Sequence, residues 1–165
     1  MRAAQELAPE GMRIDIFDLA PIPLYNQDLE INGDPEPVAA LKTALLEADA
    51  LLLVTPEYNY GVPGVLKNAI DWASRPPNRS GLRGKPAAIM GASPGPSGTI
   101  RAQGQLRQVF VFTQTLALLQ PEVLVSHALE KFDKDGRLTD EKTREHVRKQ
   151  LEALRDWTLR LGGDH

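Results

Sequence analysis

A chain of 165 residues, 42% hydrophobic and 25% charged, has the length and composition of one soluble globular domain built on one core. Its net charge of −3 attracts neither nucleic acid nor an anionic membrane, so small molecules are the expected partners. The absence of cysteine excludes disulfides, thiolate catalysis and cysteine-ligated zinc or iron–sulfur centres, and redox chemistry would need a borrowed cofactor.

The N-terminus has no apolar stretch of signal-peptide length, and no run approaches the roughly 20 apolar residues that span a bilayer, which makes a cytoplasmic location the expectation. Residues 1–9 read as the end of a helix, strong helix formers stopped by Pro9 and Gly11. Residues 13–19 alternate polar and apolar as far as Ile16, predicting a short edge strand with Ile14, Ile16 and Phe17 in or near the core. Four prolines and Gly33 make residues 20–37 a long surface loop. Val38, Leu41, Leu45 and Leu46 then fall at helical spacing, and the helix ends at Ala48 and Asp49.

Residues 50–54 are continuously apolar, as in a parallel strand buried on both faces. After a polar loop, Pro63 suits the first position of a helix whose buried face is Val65, Leu66, Ala69, Ile70 and Ala73. Residues 74–84 break that helix, residues 86–92 are a second buried strand, and residues 93–98 form a glycine- and serine-rich turn into a long helix over 99–119. The second half of this helix is apolar nearly all round, to be buried by the sheet or by a neighbouring subunit, so a homo-oligomer is expected. Residues 122–126 are a last strand. Thr139 is the expected cap of a final helix, with Asp140 and Glu141 in its first turn, a docking stripe of Val147, Leu151, Leu154, Trp157 and Leu161, and an end at Gly162 and Gly163. Strands near residues 13, 51, 87 and 123 alternating with helices define an α/β domain, a parallel sheet with helices on both faces, spanning residues 1–165 without a linker.

In an open α/β sheet, ligands bind at the carboxyl ends of the strands. The loop there, residues 55–64, offers Tyr58 and Tyr60 as flat faces with hydroxyl tips, Asn59 as an amide donor and acceptor, and glycines that let backbone N–H groups approach a ring. Residues 93–98 add hydroxyls and backbone N–H groups at the same edge, and the two loops suit a planar, heteroatom-edged ligand. Neither holds a nucleophile with a base, so no catalytic side chain is expected. His127, His146 and His165 lack metal-ligand spacing, and no metal is predicted.

The run Pro56-Glu57-Tyr58-Asn59-Tyr60-Gly61-Val62-Pro63-Gly64-Val65-Leu66-Lys67-Asn68-Ala69-Ile70-Asp71-Trp72 closely resembles the signature of the NADPH-dependent FMN reductase family, flavodoxin-like proteins that include chromate, quinone and azo-dye reductases. Gly84-Lys85-Pro86, Gly91-Ala92-Ser93-Pro94-Gly95, Arg101, and Phe132-Asp133 with Asp135-Gly136 extend the resemblance over essentially the whole chain. It implies that Pro56, Glu57, Tyr58, Asn59 and Tyr60 lie against the isoalloxazine of FMN, with Ser93 and Gly95 in a second flavin loop. The implied chemistry is hydride transfer from NADPH or NADH through FMN to a quinone, azo compound, metal oxyanion or free flavin, in a homodimer or homotetramer with the flavin near a subunit boundary.

The family begins with a strand and a Gly-Ser-x-Arg-x-x-Ser-x-Asn type loop that binds the FMN phosphate, and residue 1 falls after that loop. The favoured reading is a shortened start; completion by a neighbouring chain and loss of tight FMN binding are the alternatives. The rival function is a flavin-free oligomeric remnant serving as an interaction module, and a small electron carrier is disfavoured by the low net charge. Glu57 is alternatively expected to pair with Arg101 or Arg79 across a subunit contact.

Overall fold

Leu51–Val54 (β1) and Pro86–Ala92 (β2) form the parallel ladder on which the molecule is built, from Leu51 opposite Ala87 to Val54 opposite Met90. The computed structural model describes residues 1–162. The other edge of β2 pairs with two segments in turn, Leu116–Ala117 (β3) at its start and Val123–Val125 (β4) at its end, all parallel. Between Ala87 opposite Ala117 and Met90 opposite Val123, β2 advances three residues and its partner six. The surplus interrupts the ladder, and two buried glutamine amides brace the strands around the break. The Gln150 amide donates to the carbonyls of Ile89 and Pro121 at 3.0 and 2.8 Å, and the Gln103 amide donates to the Val123 carbonyl at 3.0 Å.

The pleat divides the strand side chains between two cores. Leu51, Leu53, Ala87 and Ile89 face a cluster with Glu36–Glu47 (α3), Gly64–Ala73 (α4) and Ile100–Thr113 (α5), whose buried members include Val38, Leu41, Trp72, Leu106 and Phe110. Leu52, Val54, Met90, Val123 and Val125 face the opposite cluster with Ala4 and Leu7 around Arg2–Glu6 (α1) and Val147 and Leu151 of Glu141–Gly162 (α6). This is the α/β, flavodoxin-like arrangement implied by the sequence, helices on both faces of a parallel sheet.

Several local expectations are corrected. Residues 13–19 join no ladder: no strand lies beside them among the described residues, Ile16 and Phe17 are exposed, and of the three expected core residues only Ile14 reaches a core, while Leu19 packs against the opposite cluster. β1 is half-buried rather than enclosed, since among the described residues only one of its edges is paired. The long surface loop contains the short helix Gln27–Ile31 (α2), capped by Asn26, and is pinned to α4. The Trp72 Nε1–H and Asn68 Nδ2–H both donate to the Pro23 carbonyl, at 2.9 and 2.8 Å, while Asn68 Oδ1 accepts the Tyr25 N–H. Pro63 is the cap of α4 rather than its first residue, and Val65 is exposed while Trp72 fills the core.

The helix expected over 99–119 ends at Thr113, because Gln114 takes a left-handed conformation (φ 57°) and directs Leu116 and Ala117 into the sheet. α6 is capped by Asp140, whose Oδ1 accepts the Thr143 N–H at 2.9 Å, while the Thr139 hydroxyl donates to the Lys131 carbonyl. In the stripe of α6, Val147, Leu151 and Leu154 are buried, and Trp157 and Leu161 are half-buried. Gly163 and His165 lie outside the described residues.

Candidate functional site

The carboxyl ends of β1, β2 and β4 open into three loops tied to one another. The Ser93 N–H donates to the Val125 carbonyl at 2.9 Å, the His127 N–H to the Gly95 carbonyl at 3.0 Å and the Ala128 N–H to the Ser93 carbonyl at 3.0 Å. Over the end of β2 the loops nearly touch: a Cβ on Gly91 would lie 2.1 Å from Thr99 Oγ1 and 2.3 Å from the Thr55 carbonyl oxygen. Only glycine leaves space for that crossing.

Glu57 is the anchor of the first loop. Its side chain is 6% exposed, and Oε2 accepts the backbone N–H groups of Arg101 and Ala102 at 2.9 and 3.2 Å, while Oε1 accepts from Arg101 Nη1 at 3.2 Å. These N–H groups belong to the first turn of α5, whose own cap residue Thr99 makes no side-chain capping bond. A carboxylate from a different loop therefore supplies the cap and meets the positive end of the helix dipole. Burial pushes the Glu57 carboxyl up, but the hydrogen bonds from Ala102 and Arg101 and the charge of Arg101 outweigh it and hold the group below the usual glutamate range. The expected pair with Arg101 is thus made, within one chain.

Beyond Glu57 the chain makes a two-residue hairpin. Tyr58 and Gly61 exchange N–H to carbonyl bonds at 3.1 and 2.9 Å, and Asn59 and Tyr60 between them have φ of 50° and 64°. Two left-handed residues define a type I′ turn. Asparagine tolerates that conformation, but for a tyrosine it costs about 1–2 kcal/mol and must be held by its surroundings. The Arg101 guanidinium lies 3.9 Å from the centre of the Tyr60 ring. Gln105, one turn further along α5, donates from Nε2 to the Tyr60 carbonyl at 3.2 Å and accepts the Val62 N–H on Oε1 at 3.0 Å. Sequence reasoning passes over Gln105, whose only mark is its place four residues after Arg101 on the same helix face.

The turn presents Tyr58 and Tyr60, 64% and 68% exposed, together with Asn59. Their hydroxyls and the Asn59 amide have no hydrogen-bond partner among the described residues. Pro56 is exposed beside them, whereas Glu57 is committed to α5. In the second loop the Ser93 hydroxyl is committed internally, accepting the Gly98 N–H and donating to the Gly95 carbonyl, while the Gly95 N–H has no partner among the described residues. Together the loops offer exposed aromatic faces, a free amide and a free backbone donor at one edge of the sheet. That set fits a flavin ring, which has a flat apolar face and a rim of nitrogen and oxygen acceptors. Concave sites of about 210 Å³, beside Ser74 and Phe112, and about 260 Å³, between β4 and α6, are lined by none of these residues. Among the described residues no group of His, Asp and Glu side chains is arranged to hold a metal ion.

The sequence matches the family described as NADPH-dependent FMN reductase over residues 1–130. An NAD(P)H-dependent FMN reductase of Pseudomonas aeruginosa is 52% identical over 163 residues, 99% of this chain and 88% of that protein. An NADPH:quinone oxidoreductase of Arabidopsis thaliana is 44% identical over 169 residues, 99% of this chain and 85% of that protein. Among solved structures, the flavoenzyme NAD(P)H:(acceptor) oxidoreductase of Paracoccus denitrificans aligns with a TM-score of 0.87 at 37% identity, covering 96% of this chain and 87% of that one.

Proposed function

The chain belongs to the NADPH-dependent FMN reductase family, and we propose that its carboxyl-edge loops hold FMN by the ring and that it reduces quinones with NAD(P)H. The observation that carries this reading is the strained hairpin presenting Tyr58, Asn59 and Tyr60, fixed to α5 by Glu57 and Gln105. When bound, FMN supplies the chemistry of taking a hydride from the nicotinamide and passing two electrons to the acceptor. The balance is NAD(P)H, a proton and a quinone giving NAD(P)⁺ and a hydroquinone. The chain's own residues bind and orient: Tyr58 and Tyr60 cover a ring face, the Asn59 amide and Gly95 N–H address its polar rim, and Pro56 and Glu57 set the path of the loop. None acts as an acid or base.

The proposal includes a cytoplasmic homodimer or homotetramer, with the whole chain acting as one domain. Among the described residues no helix is long and apolar enough to cross a membrane. Val111 and Phe112, at 79% and 80% exposure on the outer face of α5, support a second copy as its cover. The test is titration of the purified protein with FMN and with riboflavin, followed by NADPH oxidation in the presence of benzoquinone. Loops that grip the ring bind both flavins, and one quinone is consumed per NADPH. Protein that binds neither flavin and stays inactive with FMN added overturns the reading in favour of a flavin-free interaction module.

A further inference from the structure

Gln105 stands on the solvent-facing side of α5, where the helix itself requires only a polar residue. Both ends of its amide are nonetheless engaged with a loop more than forty residues away, Oε1 accepting the Val62 N–H at 3.0 Å and Nε2 donating to the Tyr60 carbonyl at 3.2 Å. The two partners flank Gly61, a carbonyl before it and an N–H after it. A neighbouring parallel strand bonds a residue in this pattern. One side-chain amide thus stands in for one residue of a strand beside the hairpin. The amide orientation follows from its partners, since the reverse would set oxygen against the Tyr60 carbonyl and nitrogen against the Val62 N–H. Gly61 provides the space, because a Cβ there would sit 3.0 Å from Gln105 Oε1.

We propose that Gln105 is the positioning residue of the site: its amide holds the Asn59–Tyr60 turn in its left-handed conformation and so sets the angle at which the tyrosine rings meet a flat ligand. This rests on the ring-binding reading above. The Tyr58–Gly61 bonds and the Arg101–Tyr60 contact also hold the hairpin, so loss of Gln105 misaligns the turn without unfolding the chain.

The test uses Gln105→Met, which keeps length and helix propensity but removes both bonds, and Gln105→Glu, which keeps only the acceptor. In flavin-free protein, hydrogen exchange of the Val62 amide accelerates about five- to tenfold in Gln105→Met, the worth of one lost bond, and returns toward wild type in Gln105→Glu. In the flavin-loaded enzyme, Gln105→Met binds FMN about five- to tenfold more weakly. Fluorescence of the bound flavin rises as the quenching tyrosines lose alignment, and KM for the quinone rises by a larger factor than kcat falls. Gly61→Ala crowds the same amide from the other side and gives the same signature. Wild-type exchange at Val62 in Gln105→Met, or unchanged FMN affinity and fluorescence in both Gln105→Met and Gly61→Ala, overturns the proposal. Wild-type protein that binds no flavin removes the ring-binding reading instead, and exchange at Val62 still reports on the clamp.

Discussion

Glu57 joins the sequence signature to the structure because one carboxylate does two jobs, capping α5 and tethering the aromatic loop. Its folded pKa is depressed, so its stabilisation is present above the unfolded glutamate value of about 4.3 and is lost as pH falls through the lower folded value. Glu57→Gln keeps the shape but loses the charge at the helix end, and should cost about 0.3–1 kcal/mol at neutral pH, the usual worth of a negative charge at a helix N-terminus. Thermal melts of the two proteins should differ at pH 7 and converge in acid, below the ordinary glutamate range. A difference that persists at low pH would count against the carboxylate as the origin. The signature marks Glu57 as part of the site but not its work, since the two N–H groups it accepts lie 44 and 45 residues on in the chain. Gln105 is less legible still. An exposed glutamine on a helix has no pattern of its own, and only the fold brings it beside Gly61.

At the scale of elements, legibility followed burial. β1, β2 and β4 are readable as apolar runs, and the loops after them as breaks in those runs, because a parallel sheet covered by helices needs continuous apolar strands. β3 is not readable: two residues in an apolar stretch that could equally continue α5 become a strand only through pairing beside Pro86 and Ala87, where the Leu116 N–H donates to the Lys85 carbonyl and the Leu118 N–H to the Ala87 carbonyl. Residues 13–19 err in the other direction, with alternation suited to a strand but no neighbour among the described residues to complete the ladder. The interruption between β3 and β4 depends on glutamines that sequence alone would place on a surface. Gln150 is 1% exposed, and Gln150→Leu should leave the Pro121 carbonyl without this donor and remove the side-chain bond to the Ile89 carbonyl, at a cost of about 1–3 kcal/mol for the buried acceptor. Urea denaturation would register this as a lower midpoint; an unchanged midpoint would show that the amide is dispensable to the ladder.

At the scale of the whole molecule, α5 links the site to the surface. Its first turn receives Glu57, its second holds the hairpin through Gln105, and its far end exposes Val111 and Phe112. The sequence pattern foresees an apolar second half covered by sheet or subunit, and the sheet covers only one side of it. Phe112→Lys should therefore shift the proposed oligomer toward monomer in light scattering, while circular dichroism stays that of the wild type. An unchanged mass would place the subunit contact elsewhere. On the β4 side the sheet closes in segments of two and three residues, set out of step with each other. Such an edge offers a passing strand no continuous row of N–H and C=O groups to copy, so on that flank the molecule resists growing into a larger sheet.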